Sequence, residues 1–528
     1  MAFTSAAFLV LTALAVAIYY RVPGRMQWPV LLAASLIFYC AGGWKTFVYV
    51  LYTAGIVYAS GIGLAHFHSV RKSLPKDTAP EIKKQTAARC KRNSRLIVLV
   101  ACLANFGLLY ILKYWNFTAE LLQPLASRIS ESAQVPTISL LMPLGVSFFM
   151  FQSVGYVIDV YRGKYEPERN FIKFLLFVSF FPQMVQGPIS RFDQLAPQLY
   201  SEKKLDWQNI KFGIQLMLWG YFKKMVIADR AAVIVNTVVD HPWSYSGSIQ
   251  AFGVLMYCIQ LYGDFSGGID ITRGVARMFG IDMAENFRRP IFATSLTDFW
   301  RRWHITLGAW MRDYLFYPLA LSKPFGKLGK FTRKHIKGKL GKIIPTSLAT
   351  FIIYFVIGIW HGANCRYVAF GFWNGAIITT SLLLAPQFEK IKTRLGIDDK
   401  APWYRVFQTA RTCIIVFFGR YITRAPRFLT AVWMMKQTFT NTHPADLVNG
   451  KIFTLGLGVY DMSIIVLGMA VLIAVEWYQE KGGHIREALE KKSAAVQVMS
   501  AVLPVIVLLL LGIMRGDYIS SDFIYKQF

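Results

Sequence analysis

Of the eight histidines in this 528-residue chain, two stand where they could do chemistry. His361 closes the apolar run Phe351-Ile352-Ile353-Tyr354-Phe355-Val356-Ile357-Gly358-Ile359-Trp360 and is followed by Gly362 and Ala363. An ionisable residue at membrane depth is a functional signal by default. Burial disfavours the imidazolium, so the ring is expected to be neutral and able to take a proton. Beside an alcohol it could act as general base in acyl transfer, a role that contributes roughly 10²–10⁴ in rate. The structural alternative is a neutral ring bonded to a helix carbonyl. His304 follows Thr297-Asp298-Phe299-Trp300-Arg301-Arg302-Trp303. At helical spacing Trp300 and His304 share a face, and Arg301 and Arg302 could pair with phosphate. The same pattern describes an interfacial helix, with Trp at headgroup depth and snorkelling Arg, and the residues alone favour that reading. His66, His68, His241, His335, His443 and His484 lie in or beside polar segments and read as solvated.

Two carboxylates, Asp264 and Asp270, lie in the apolar stretch Gly263-Asp264-Phe265-Ser266-Gly267-Gly268-Ile269-Asp270. Buried carboxylates need partners, and Arg273 and Arg277 follow at i+3 and i+7 from Asp270, so the cluster reads as structural support for a site. The six cysteines form no C-x-x-C pair and offer no metal-ligand spacing, so they read as small hydrophobes.

The elements that carry these residues follow from composition. Apolar residues make up 55% of the chain and charged residues 16%, against about 25% charged in soluble proteins. Lys and Arg number 58 against 29 Asp and Glu, a net charge of +29. In a chain this apolar the excess predicts basic cytoplasmic loops of a polytopic membrane protein, not a nucleic-acid partner. Spans of about 20 apolar residues are expected at 3–20, 27–43, 46–65, 96–113, 139–160, 345–363, 366–386, 406–424, 453–477 and 493–514. Segments 171–187, 211–236 and 247–281 carry internal polar residues. The expectation is an all-α protein with roughly ten to thirteen membrane segments. The first lacks a basic n-region and a cleavage site and reads as a retained span.

Basic loops at 66–95, 161–170, 323–344 and 478–492 are expected inside. Three spans precede the first, so the N-terminus is expected outside. Provided nothing between 285 and 322 crosses, parity between 161–170 and 323–344 makes one of the three polar segments re-entrant or interfacial; the candidate is 171–187, which ends at Gly187-Pro188. Counting outward from 478–492 places the tail 515–528 (RGDYISSDFIYKQF) outside as well. The expected organisation is one membrane domain over 1–514, with amphipathic connectors at 188–210 and 425–445, and an external tail.

Ordered strings along the chain carry a family resemblance: Pro143-Leu144-Gly145-Val146-Ser147-Phe148-Phe149 with Phe151-Gln152, Phe180-Phe181-Pro182-Gln183, Gln186-Gly187-Pro188-Ile189, Asp264-Phe265-Ser266-Gly267, Glu285-Asn286-Phe287, Phe299-Trp300-Arg301-Arg302-Trp303-His304, Arg312-Asp313-Tyr314-Leu315 and Trp360-His361-Gly362. In this order, over 143–373, the sequence resembles the membrane-bound O-acyltransferase (MBOAT) family, in its bacterial branch of alginate O-acetyltransferase and teichoic acid D-alanyl transferase. The resemblance implies a helical funnel with a tunnel through a thinned membrane. It implies His361 as the catalytic histidine and His304 as the second, site-lining one. It groups Trp300, Arg301, Arg302, Trp360, Asn286, Asp264 and Ser266 as substrate-binding. The terminal Phe523-x-Tyr525-x-x-Phe528 is similar to a pattern of this branch in which a tyrosine hydroxyl relays the acyl group to an extracellular, SGNH-type partner; otherwise Tyr525 is an aromatic anchor.

The resulting expectation is an enzyme. An acyl thioester such as acetyl-CoA would enter from the cytoplasm as donor substrate, with no resident cofactor or metal. His361 would deprotonate an acceptor hydroxyl, and His304 or backbone N–H groups would stabilise the oxyanion. The acyl group would pass to an exported polysaccharide across a bacterial inner membrane. The alternatives are D-alanyl or other acyl transfer to teichoic acid or lipid through a carrier protein, and a transporter or flippase without covalent chemistry, which the absence of a visible internal repeat disfavours.

Overall fold

The computed structural model describes residues 2–130, 132–143 and 145–513. Among them the only β pairing is an isolated antiparallel bridge between Phe287 and Trp303; the rest of the regular structure is helical. Five helical stretches among the described residues are long and apolar enough, by length and composition, to cross a membrane: Gly24–Lys72, Pro80–Lys113, Leu340–His361, Val459–Glu480 and Ala494–Leu511. A bent pair, Cys365–Leu383 with Ala385–Arg394 at 57°, would make a sixth. The number is below the ten to thirteen expected for identifiable reasons. Gly24–Lys72 unites two expected spans. Ala6–Tyr19 and Val146–Tyr161 have only 14 and 16 residues, roughly 21–24 Å at 1.5 Å per residue, short of a bilayer core. Pro402–Arg424 carries Arg405, Arg411, Arg420 and Arg424 within its length.

The basic stretches are also more helical than loops. The Phe47–Lys72 helix runs into residues 66–72, and the next helix begins at Pro80, leaving only 73–79 as a connector. At 34 residues, the Pro80–Lys113 helix is about 51 Å long, so its basic first half extends past an apolar core about 30 Å thick. Lys323–His335 is likewise a helix within the expected loop 323–344.

The chain divides into two compact units. The first comprises residues up to Ile214 with Thr272–Ala284. In it Phe47–Lys72, Pro80–Lys113 and Val146–Tyr161 pack together, and Tyr156 meets the rings of Phe174 and Phe192 at 4.7 and 4.8 Å. The helix Phe171–Ser179 starts on Asn170, whose side chain accepts from the N–H groups of Ile172 and Lys173. It stops before Pro182, and residues 180–190 continue as fully buried irregular backbone. Gln152 donates to Phe177 O at 2.8 Å there, and Gln183 donates to Gln152 Oε1 at 3.1 Å.

The second unit comprises Gln215–Ile271 and the chain from Glu285 onward. Its tightest packing joins Leu340–His361 to Cys365–Leu383. A Cβ on Gly358 would lie 2.5 Å from Gly371 Cα and 2.5 Å from Tyr367 O, so glycine lets the two backbones touch. The turn between them is set by Asn364, whose side chain caps the second helix at Arg366 N–H, 3.0 Å. A Cβ on Gly362 would meet the Tyr367 ring at 2.4 Å. These glycines fix where the helix ends, and hence where His361 points.

Candidate active site

In the second unit the segment 286–306 is organised by one side chain. Asn286 is fully buried, and its Oδ1 accepts from Thr306 N–H at 3.0 Å and Thr306 Oγ1 at 2.9 Å and lies 3.2 Å from His304 Nδ1. The backbone pairing is continuous with it: Ile305 N–H donates to Asn286 O, and Arg288 N–H to Arg302 O. This extended pairing pulls the chain out of the helix Leu296–Arg302. His304 then adopts φ +49°, a left-handed conformation that few non-glycine residues occupy. The expected helix face shared by Trp300 and His304 is therefore absent. Helix geometry ends at Arg302, because strand-like pairing with 286–288 competes successfully for Trp303 and His304.

The left-handed turn places the His304 imidazole in an aromatic box, 4.9 Å edge-on to Phe265 and 5.9 Å from Trp360. It is 1% exposed. Burial, with His361 nearby, holds it well below the ordinary histidine range, so it is neutral at pH 7. His361 stands at the C-terminus of its helix, 5.0 Å from the Trp360 ring, 6.0 Å from Phe370 and 6.4 Å from Tyr367. It is only partly buried and opens on a small cavity lined also by Tyr257, Phe265, Trp300, Trp303, Tyr367, Phe370 and Arg420. A helix C-terminus favours the positive charge that proton abstraction would put on His361. Trp300 is locked by its Nε1–H, which donates to Asn374 Oδ1 at 3.1 Å. The arrangement can do one kind of chemistry: a base at the rim of an apolar cavity, beside a neutral ring.

Comparison with known proteins places the chain in a family. The model of the membrane-bound O-acyltransferase family matches residues 167–419. A probable alginate O-acetylase AlgI of Pseudomonas syringae pv. tomato is 30% identical over 460 residues, covering 86% of this chain and 76% of that protein. The chain belongs to the membrane-bound O-acyltransferase family. Other relatives of this acyltransferase are the Helicobacter pylori peptidoglycan O-acetyltransferase, 30% identical over 362 residues (63% of this chain, 64% of that protein), and the Bacillus subtilis teichoic acid D-alanyltransferase, 26% identical over 343 residues (64% and 80%). It is accordingly a multi-pass membrane protein and an enzyme, which displaces the transporter reading.

Of the expected site residues, the acyltransferase fold gathers His361, His304, Trp360, Trp300 and Asn286 into one cluster. Arg301 is exposed. Arg302 is engaged: it pairs with Asp298 at 3.1 Å and with Glu480 at 3.0 Å, and Glu480 also holds Arg289 at 2.8 Å. Asp264 and Ser266 sit in a buried ionic network. Lys224, 1% exposed, lies 2.5 Å from Asp264 and 2.8 Å from Asp229. Lys223 lies 2.6 Å from Asp270 and 2.9 Å from Ser266 Oγ. Both lysines come from a π-helical stretch, Phe222–Ala228, on another helix. Arg277 pairs with Asp282. Tyr525 lies outside the described residues. Sequence reasoning missed Asn374, which fixes Trp300, and Arg420, a charge inside the expected span 406–424 whose position alone was a signal.

Proposed function

We propose that this acyltransferase O-acetylates an exported cell-surface polysaccharide, taking the acetyl group from a cytoplasmic thioester, acetyl-CoA, across a bacterial inner membrane with both chain termini outside. The observation that carries the reading is His361, partly accessible at the end of a helix and opening on an aromatic cavity beside neutral His304. The His361 imidazole takes the proton of an acceptor hydroxyl, whose oxygen attacks the thioester carbonyl carbon. The carbonyl electron pair moves to oxygen, then returns as the C–S bond breaks, and the imidazolium protonates the departing thiolate. Ester and thiol are the products, and His361 is regenerated neutral. His304 lines the site. Tyr525 is the hydroxyl that relays the acetyl group to a secreted SGNH-type partner, which completes transfer to the polymer.

Acetyl transfer is supported over D-alanyl transfer by the longer match to the alginate O-acetylase, 460 residues against 343. In cells, His361→Ala is expected to abolish polymer O-acetylation. Tyr525→Phe keeps the aromatic anchor and removes only the hydroxyl. Retained polymer acetylation in Tyr525→Phe would exclude the relay, and retained acetylation in His361→Ala would exclude the base.

A further inference from the structure

Arg420 lies near the end of the Pro402–Arg424 helix and is 6% exposed. Its guanidinium carbon is 5.1 Å from the Trp303 ring centroid and 5.8 Å from that of Phe370, and it lines the same cavity as His361. The other fully buried arginine of this unit among the described residues, Arg230, meets Asp461 at 3.1 Å, and the half-buried Arg302 and Arg289 share Glu480. Arg420 has no such partner; among the described residues its guanidinium makes no ion pair and no side-chain hydrogen bond, and aromatic faces are its neighbours. A buried charge without a counter-ion is expensive to keep. Rings recover part of that expense through cation–π contact, but they offer the N–H groups of the fork no acceptors.

We infer that Arg420 is a catalytic residue of this cavity, donating hydrogen bonds to the oxyanion formed at the transferred acyl carbon. The inference rests on the acyl-transfer reading above. Phe370 gauges the placement: His361 is 6.0 Å from its centroid and Arg420 5.8 Å, so base and cation both lie against one ring. A CoA thioester carries its phosphates at the far end of the pantetheine arm, many bonds from the acyl carbon. A cation one ring away from the base therefore meets the reacting carbonyl and not those phosphates. When the acceptor oxygen adds, the carbonyl π pair becomes a full negative charge on oxygen. Arg420 supplies N–H donors and a fixed positive charge without losing a proton, and it releases the oxygen when the carbonyl re-forms and the C–S bond breaks. A preorganised donor in a site that excludes water stabilises the transition state more than the neutral thioester, so it acts on turnover rather than on donor affinity.

The test uses the full-length chain in detergent, labelled acetyl-CoA over a range of concentrations, and release of the CoA thiol, with wild type and His361→Ala as brackets. Arg420→Met is expected to lower kcat roughly 10²–10³-fold with KM changed by less than about threefold, the size seen when one oxyanion donor is removed. Arg420→Lys, which keeps the charge and loses the fork, is expected to fall between. Arg420→Ala is expected to be partly restored by millimolar guanidinium, a rescue that a packing role would not show. If Arg420→Met misfolds, the lysine variant and the rescue still decide. Wild-type kcat in Arg420→Met, or a raised KM with kcat unchanged, overturns the oxyanion role while leaving the His361 reading intact. A wild-type protein with no His361-dependent acetyl transfer overturns both.

Discussion

Two clusters of charge lie within the second unit, and they are built on opposite plans. Around Lys223 and Lys224, cations and carboxylates answer one another: Asp264 and Asp229 on Lys224, Asp270 and Ser266 on Lys223. Around His361 the surroundings are rings and a cavity: Phe370 and Arg420 line the cavity with it, with no carboxylate among the lining residues, and Trp360 stands between His361 and His304. Satisfied charge is scaffold, because every group that leaves water finds a protein partner. Arg420, whose guanidinium meets rings at the cavity, holds its hydrogen bonds in reserve for something that enters it. The sequence strings that carry the family resemblance run through both clusters, so a shared motif does not separate support from chemistry; the partners do.

That contrast can be broken most forcefully at the network. Lys224→Met leaves Asp264 and Asp229 buried together without their cation and is expected to destabilise the protein by about 3–5 kcal/mol. Loss of monodisperse protein on gel filtration and a lowered Tm would report it. Adding Asp264→Leu and Asp229→Leu should recover part of the loss, since a well-packed apolar replacement tolerates burial that a lone charge does not. A Lys224→Met protein as stable as wild type would remove the distinction between the two clusters.

Asn286 sharpens the comparison, because it is structural in form yet belongs to the site. Asn286→Ala removes the acceptor shared by His304 and Thr306. At about 1 kcal/mol per hydrogen bond, a stability loss of roughly 2 kcal/mol is expected. A larger relative fall in acyl transfer should accompany it, because the left-handed turn at His304 loses its anchor. Equal losses of stability and activity in proportion would mean that the turn does not position the site. The smallest effect is expected at Arg301. It is exposed beside engaged Arg302, so Arg301→Ala should change Tm by no more than about 0.5 kcal/mol would. A large rise in donor KM in that variant would assign it to donor phosphates instead.

Much of this was legible before any coordinates. His361 stands out because a histidine ends an otherwise apolar run, and the hydropathy pattern alone puts it on a helix. What escaped the sequence has physical causes. The turn at His304 depends on a left-handed backbone and on Asn286, eighteen residues earlier, and helical spacing cannot report either. Spacing along one helix cannot show that two adjacent lysines reach Asp264 and Asp270 from another, where the π-helical stretch Phe222–Ala228 turns both inward. Arg420 lies inside the expected span 406–424 near its end, and only the rings around it distinguish a cavity group from a snorkelling one. The basic stretches were read as loops because charge marks the membrane boundary, not the helix boundary.

The most direct test of the account is acetyl transfer by the purified full-length protein supplied with labelled acetyl-CoA. The account predicts thiol release and an acetyl ester in wild type, and a fall of at least about 10²-fold in His361→Ala with the fold intact. Undiminished transfer in His361→Ala would contradict it.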